Sequence, residues 1–134
     1  MTEDARVAYL DTSAYVKLIV EEPESAPLER ELAGWSAWTS SALLAVEAVR
    51  ACRRLGEPVA ASAEESLRDL ALLPIDDAVL AAARRLDPAE LRSLDAVHLA
   101  TALSLGDDLG AVFSYDERLM AAARAAGLRV MAPA

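Results

Sequence analysis

Val7-Ala8-Tyr9-Leu10-Asp11-Thr12-Ser13 is the stretch that decides the fold. Four apolar residues, two of them strand formers, run straight into a carboxylate and two hydroxyls. In an open α/β sheet, ligands bind where strands end and helices begin, so an acid at that junction points into the site. Asp11 is therefore the first candidate for chemistry. The same three residue types are also preferred helix N-caps, and the stretch alone does not separate the two roles.

Working outward, the chain of 134 residues fits a single domain spanning 1–134. A domain of this size buries roughly two thirds of its unfolded surface, enough for a real core. Thirty alanines and only six aromatics suit closely packed helices against a small sheet. The balance of 22 acids against 13 bases, twelve of them Arg, gives a formal charge of −9 and argues against a generic duplex-binding coat. It does not argue against a nucleic-acid enzyme, because carboxylates that hold divalent cations are themselves negative until metal neutralises them. Cys52 is the only cysteine, which excludes an internal disulfide and a multi-cysteine zinc site and suits a reducing, cytoplasmic setting. Met1-Thr2-Glu3-Asp4 lacks the pattern of a secretory signal, and the longest charge-free run, Leu32 to Val46, is too short to span a bilayer, so no membrane association is expected.

Beyond Asp11, a short helix is expected over Ala14 to Val20, a second over Pro27 to Ala33 stopped by Gly34, and a brief strand over Trp35 to Thr39. A helix from Ser40 or Ser41 to Leu55 should end at Gly56 and Pro58. Its apolar face would be Leu44, Ala48, Ala51 and Leu55, with Glu47, Arg50 and Arg54 on the edge. Ala60 to Leu72 reads as helix, Pro74-Ile75 as a minimal strand, and Asp77 to Leu86 as a helix capped by Asp77. Ser93 to Leu105 is apolar on nearly every side, the mark of a buried helix, and Asp95 within it needs an explanation because an unpaired buried carboxylate is costly. Gly106 to Gly110 reads as loop, Ala111 to Ser114 as strand, Asp116 to Ala126 as helix and Leu128 to Met131 as a last strand. Strands alternating with helices predict an α/β chain whose mostly parallel sheet is covered on both faces.

Four acids stand where a solvated surface explains them poorly: Asp11 at a strand end, Glu47 on a helix edge, Asp95 in an apolar helix and Asp116 directly after a strand. Hard divalent cations take oxygen ligands, and Mg²⁺ in particular is held by a few carboxylates and several waters. A metal so held lowers the pKa of bound water and steadies charge on a phosphodiester, so no protein nucleophile is needed. Each acid also has a plainer reading. Glu47 can pair with Arg50, Asp116 can cap a helix, and Thr12 or Ser13 can take over the capping that would otherwise occupy Asp11. His98, one turn from Asp95, reads as a hydrogen-bonded core residue, and Tyr9, Trp35 and Trp38 as core or interface.

Tyr9-Leu10-Asp11-Thr12-Ser13-Ala14, Ser41 to Arg50 around Glu47, Arg92 to Ala102 around Asp95, and Phe113-Ser114-Tyr115-Asp116-Glu117-Arg118-Leu119 resemble, in order, the four signature segments of PIN-domain ribonucleases. More narrowly they resemble the VapC toxins of type II toxin–antitoxin modules, over almost the whole chain. The resemblance implies a three-layer α/β/α PIN-like fold with a mostly parallel sheet of four to five strands. It implies endonucleolytic hydrolysis of RNA dependent on Mg²⁺ or Mn²⁺, a small cognate antitoxin protein as partner, and a homodimer. By the same carry-over Asp11, Glu47, Asp95 and Asp116 are the catalytic, metal-holding acids, and Ser13 and Ser114 are supporting hydroxyls. Arg50, Arg54 and Arg92 lie near these acids, either to contact RNA phosphates or to balance the carboxylates.

Rivals from other classes fare worse. A phosphatase of the haloacid dehalogenase type needs a second Asp where Ser13 stands, and a phospho-acceptor receiver domain needs a late Lys, whereas Lys17 is the only lysine. The alternative that survives is a non-catalytic PIN-like module that binds protein or RNA.

Overall fold

Strand β1 (Val7–Leu10) lies at the centre of a parallel sheet in the computed structural model, which describes residues 7–134. The reading of Met1-Thr2-Glu3-Asp4 lies outside those residues. The chain continues through α1 (Thr12–Ile19), α2 (Ser25–Leu32), β2 (Ala37–Ser41), α3 (Leu43–Arg53) and α4 (Glu57–Ser66) to β3 (Ala71–Leu73). It then runs through α5 (Asp77–Ala83), α6 (Ser93–Leu103), β4 (Leu109–Phe113), α7 (Glu117–Ala125) and β5 (Val130–Met131). The strand order is β3-β2-β1-β4-β5, with every neighbouring pair parallel.

The pleat of β1 sorts its side chains between two cores. Ala8 and Leu10 point to one face and pack with Ala14, Leu28, Leu32 and Phe113, while Tyr9 points to the other and packs with Ala102 and Val112. Helices α1 to α4 contact one another on the first side, and α5 to α7 do so on the second, giving the expected three layers. Helix α6 is the buried element that its composition predicts, with Ala96 and an unbroken run from His98 to Ala102 removed from solvent.

Four local expectations are corrected. The third strand is Ala71–Leu73 and not Pro74-Ile75, because Pro has no N–H to give a ladder, and Ala71 pairs with Thr39. Pro58 opens α4 rather than ending α3: Gly56, at φ 128°, turns the chain, and a Pro in a first turn gives up no helical bond. The buried face of α3 is Leu44, Ala48 and Cys52, whereas Leu55 is 60% exposed. The cap of α5 is Asp76, which accepts from the Val79 N–H, so Asp77 stands inside the first turn.

A candidate carboxylate site at the sheet switch point

From β1 the chain crosses to β2 on one side, and from β4 it crosses to β5 on the other. Diverging connections open a crevice at the carboxyl ends of β1 and β4, the usual place for a ligand in such sheets. Asp11 follows β1 directly, and Ser114, Tyr115 and Asp116 follow β4. The two ends are tied by the Asp11 N–H, which donates to the Phe113 carbonyl at 3.1 Å.

Asp11 is 3% exposed and held by three donors. Its Oδ1 accepts from Ser13 Oγ at 2.7 Å and the Ala14 N–H at 2.9 Å, and its Oδ2 accepts from Ser114 Oγ at 2.6 Å. The bond from Ala14 makes Asp11 itself the N-cap of α1, so capping does not pass to Thr12 or Ser13. The hydroxyls also receive backbone protons, Ser13 from Tyr115 N at 2.8 Å and Ser114 from Asp116 N at 3.0 Å, so the carboxylate is clamped between both strand ends. Burial pushes its pKa up, against the opposing pull of Ser114, Ser13 and the Ala14 amide. A carboxylate has about four lone-pair sites, and three donors leave one for a ligand.

Glu47 does not pair with Arg50. From α3 its Oε1 accepts from Thr12 Oγ1 at 2.5 Å and faces His98 Nε2 at 2.7 Å. Burial alone would raise this carboxyl, and the bonds from His98 and Thr12 outweigh it and hold the pKa low. Asp95 sits in the first turn of α6, which starts at Ser93 as expected, and is half-buried rather than enclosed in the apolar stretch that follows it. None of the described residues hydrogen-bonds its carboxylate. Its pKa is raised first by burial and then by Asp116, with Asp11 adding to the repulsion and Arg92 relieving it. Asp116 Oδ1 accepts from the Arg118 and Leu119 N–H groups at 3.0 and 3.1 Å, which caps α7. Asp116 and Asp11 are thus both close enough to Asp95 to repel its charge, with Glu47 joined to Asp11's helix through Thr12.

Of the three arginines, one lies beside the acids and two lie together away from them. Arg92 is exposed at the start of α6 beside Asp95, and Arg50 and Arg54 are exposed at the far end of α3, where with Arg53 they line a cavity of about 320 Å³. Arg54 stands roughly two helical turns, about 11 Å, beyond Glu47 along the axis. Sequence reading missed the Tyr9, Thr12 and His98 contacts around Glu47. The available signal was the spacing that puts His98 on the Asp95 face of α6, but its partners depend on which way the pleat of β1 turns Tyr9.

Among the described residues, no three His, Cys, Asp or Glu side chains close into a cage able to hold a metal ion by themselves. The donors nonetheless fit a hydrated hard cation: they are oxygens, the Asp95 carboxylate accepts no hydrogen bond from the described residues, and Asp116 and Asp11 repel its charge. Mg²⁺ keeps several waters and needs only one or two direct carboxylates.

The family model described as PIN domain matches residues 8–125. Ribonuclease VapC46 of Mycobacterium tuberculosis is 48% identical over 125 residues, covering 93% of this chain and 96% of that protein. Ribonuclease VapC47 of the same organism is 38% identical over 130 residues, with coverage of 93% and 96%. The crystal structure of Mycobacterium tuberculosis VapC20, described as a sarcin-ricin loop cleaving toxin, superposes with a TM-score of 0.75 at 20% identity. That superposition covers 94% of this chain and 99% of VapC20 and is a likeness of fold.

Proposed function

The chain belongs to the PIN-domain family and groups there with VapC ribonucleases, and from that premise we propose that it is a Mg²⁺- or Mn²⁺-dependent endoribonuclease, the toxin of a toxin–antitoxin pair. The observation that carries the reading is the convergence on Asp95, whose carboxylate accepts no hydrogen bond from the described residues, of charge from Asp116 and from the buried Asp11 at the switch point, beside a Glu47 whose pKa is held low. The caps that Asp11 and Asp116 provide would serve as well with uncharged Asn, so the repulsion at Asp95 gives the fold nothing, and a cation bound there removes it.

Asp95 and Asp11 are the first choice for holding the cation, with Asp116 and Glu47 completing its surroundings. The bound ion would supply Lewis acidity and a water acidified enough to attack a phosphodiester. The protein's own part is orientation. Ser13 and Ser114 fix both oxygens of Asp11, the α7 cap fixes Asp116, and Thr12 with His98 fixes Glu47. The names of the relatives support RNA as substrate, and the family supports a small protein antitoxin, a homodimer and a cytoplasmic setting.

The test is incubation of the purified protein with structured and single-stranded RNAs in Mg²⁺, in Mn²⁺ and in chelator. Cleavage is expected with metal only, and Asp11→Asn should lower it by about 10²-fold or more, in line with loss of a group that stabilises a transition state. RNA left intact under every metal condition, or cut equally well by the variant, would overturn the reading in favour of a non-catalytic binding module.

A further inference from the structure

Beneath Glu47 lies a buried chain of polar groups that joins three elements. His98, the only histidine of the protein, is 2% exposed on α6. Its Nδ1 lies 2.7 Å from the Tyr9 hydroxyl on β1, and its Nε2 lies 2.7 Å from Glu47 Oε1 on α3 and 3.3 Å from Thr12 Oγ1. The Tyr9 and His98 rings meet edge to face at 79°, with centroids 6.0 Å apart.

We infer that His98 is a positioning residue for Glu47, held as the Nε2–H tautomer by Tyr9 and so fixing which carboxylate oxygen is spent on the protein and which is left for the site. Chemistry assigns each proton. A carboxylate only accepts, so Nε2 must carry the hydrogen that points at Oε1. With the hydrogen on Nε2, the neutral ring offers Nδ1 as an acceptor, and the buried Tyr9 hydroxyl 2.7 Å away donates to it. Thr12 supplies a second donor to the same oxygen, which leaves Oε2 as the oxygen to which none of the described residues donates. A glutamate on a helix edge otherwise samples several rotamers, and two donors on one oxygen select one. Partners of this kind commonly change metal affinity by about 10- to 100-fold when removed.

A residue that merely fills the core would make the same contacts, so the test separates the two ends of the ring. Gln at position 98 places an amide donor where Nε2 stands and can still reach Glu47. Asn reaches only as far as Nδ1 and can serve only Tyr9. Mn²⁺ affinity, measured by calorimetry, is expected within about threefold of wild type in His98→Gln and about tenfold weaker or more in His98→Asn at similar thermal stability. Nitrogen-15 spectra of the lone imidazole should show hydrogen on Nε2 in wild type. Equal losses of affinity in the two variants, or a ring carrying its hydrogen on Nδ1, would overturn the assignment. The role is stated for the metal-dependent nuclease proposed above, and cleavage is followed in parallel. If wild type cuts no RNA, that reading fails, while the ring spectrum and the cation titration still decide the role of His98.

Discussion

Asp95 shows at the level of one residue how the site opposes the fold. Its carboxyl is raised first by burial and then by Asp116, and none of the described residues gives it a hydrogen bond in return. Because the folded-state pKa lies above the unfolded one, the unfolded chain sheds this proton first as pH rises. The group therefore costs nothing below the ordinary carboxylate range near 4, and it lowers stability as pH climbs through its raised pKa. Asp95→Asn is accordingly expected to melt a few degrees above wild type at neutral pH in chelator, with the gap closing near pH 4. Calorimetry across that range checks it, and a variant that melts at or below wild type at pH 7 contradicts it. Asp95 is the clean choice for this test, since Asp11 would lose three hydrogen bonds along with its charge. That Asp95 is special was legible in the sequence, from a charged residue in an otherwise apolar run. Its place in the first turn of α6 was legible too, since the helix starts at Ser93 as its apolar run predicts, whereas its half-exposure depends on what packs over that turn and composition does not carry it.

At the level of elements, α7 makes one acid serve two ends. Asp116 caps the helix through Oδ1, and its charge reaches Asp95 across the crevice. Asn caps about as well as Asp, whereas Ala costs about 1 kcal/mol at such a position. Asp116→Asn is thus expected to keep wild-type stability within a few tenths of a kcal/mol, and Asp116→Ala to lose about 1 kcal/mol by denaturant titration. If the charge matters to catalysis, both variants lose RNA cleavage to a similar degree. Cleavage that tracks stability instead, intact in Asn and reduced in Ala, would make Asp116 a cap and nothing more. Element types were readable almost throughout, because period-2 and period-3.6 patterns survive in β1 and α7. What failed were registers in the stretch from 44 to 77. On α3, Leu44, Ala48 and Cys52 recur every fourth residue and are buried, whereas Ala51, of the same apolar character, is only half-buried and Leu55 lies past the helix end at Arg53 and faces solvent. In alanine-rich helices neighbouring stripes are nearly equivalent in hydropathy, and only the packed partner, here α4 with Ala60 and Ala63 against Cys52, chooses between them.

For the whole molecule, the order β3-β2-β1-β4-β5 sets the ends of β1 and β4 side by side, so that Asp11 and Asp116, far apart in sequence, both act on the Asp95 carboxyl. The Tyr9–His98–Glu47 chain escaped sequence reading because it spans both faces of one strand and two helices, a relation that exists only after the sheet is assembled. The same global view poses a problem for RNA, since a molecule of formal charge −9 repels a polyanion at long range. Binding must then rest on local cations, and Arg50 and Arg54, exposed with Arg53 around their shared cavity, are the densest cluster of positive charge that the site's own helix offers. Arg53 also bridges to Glu57 at 3.2 Å, which leaves Arg50 and Arg54 as the better test. Each contact to a single-stranded phosphate contributes about 0.7 to the slope of log affinity against log salt. Replacing both by Gln in an Asp11→Asn background, so that RNA is not cut during titration, should lower that slope by about 1.4 and weaken binding most at low salt. Fluorescence anisotropy with a labelled single strand measures both quantities. An unchanged slope with a lowered melting temperature would instead assign the pair to the negative end of the α3 dipole, whose carbonyls cations stabilise.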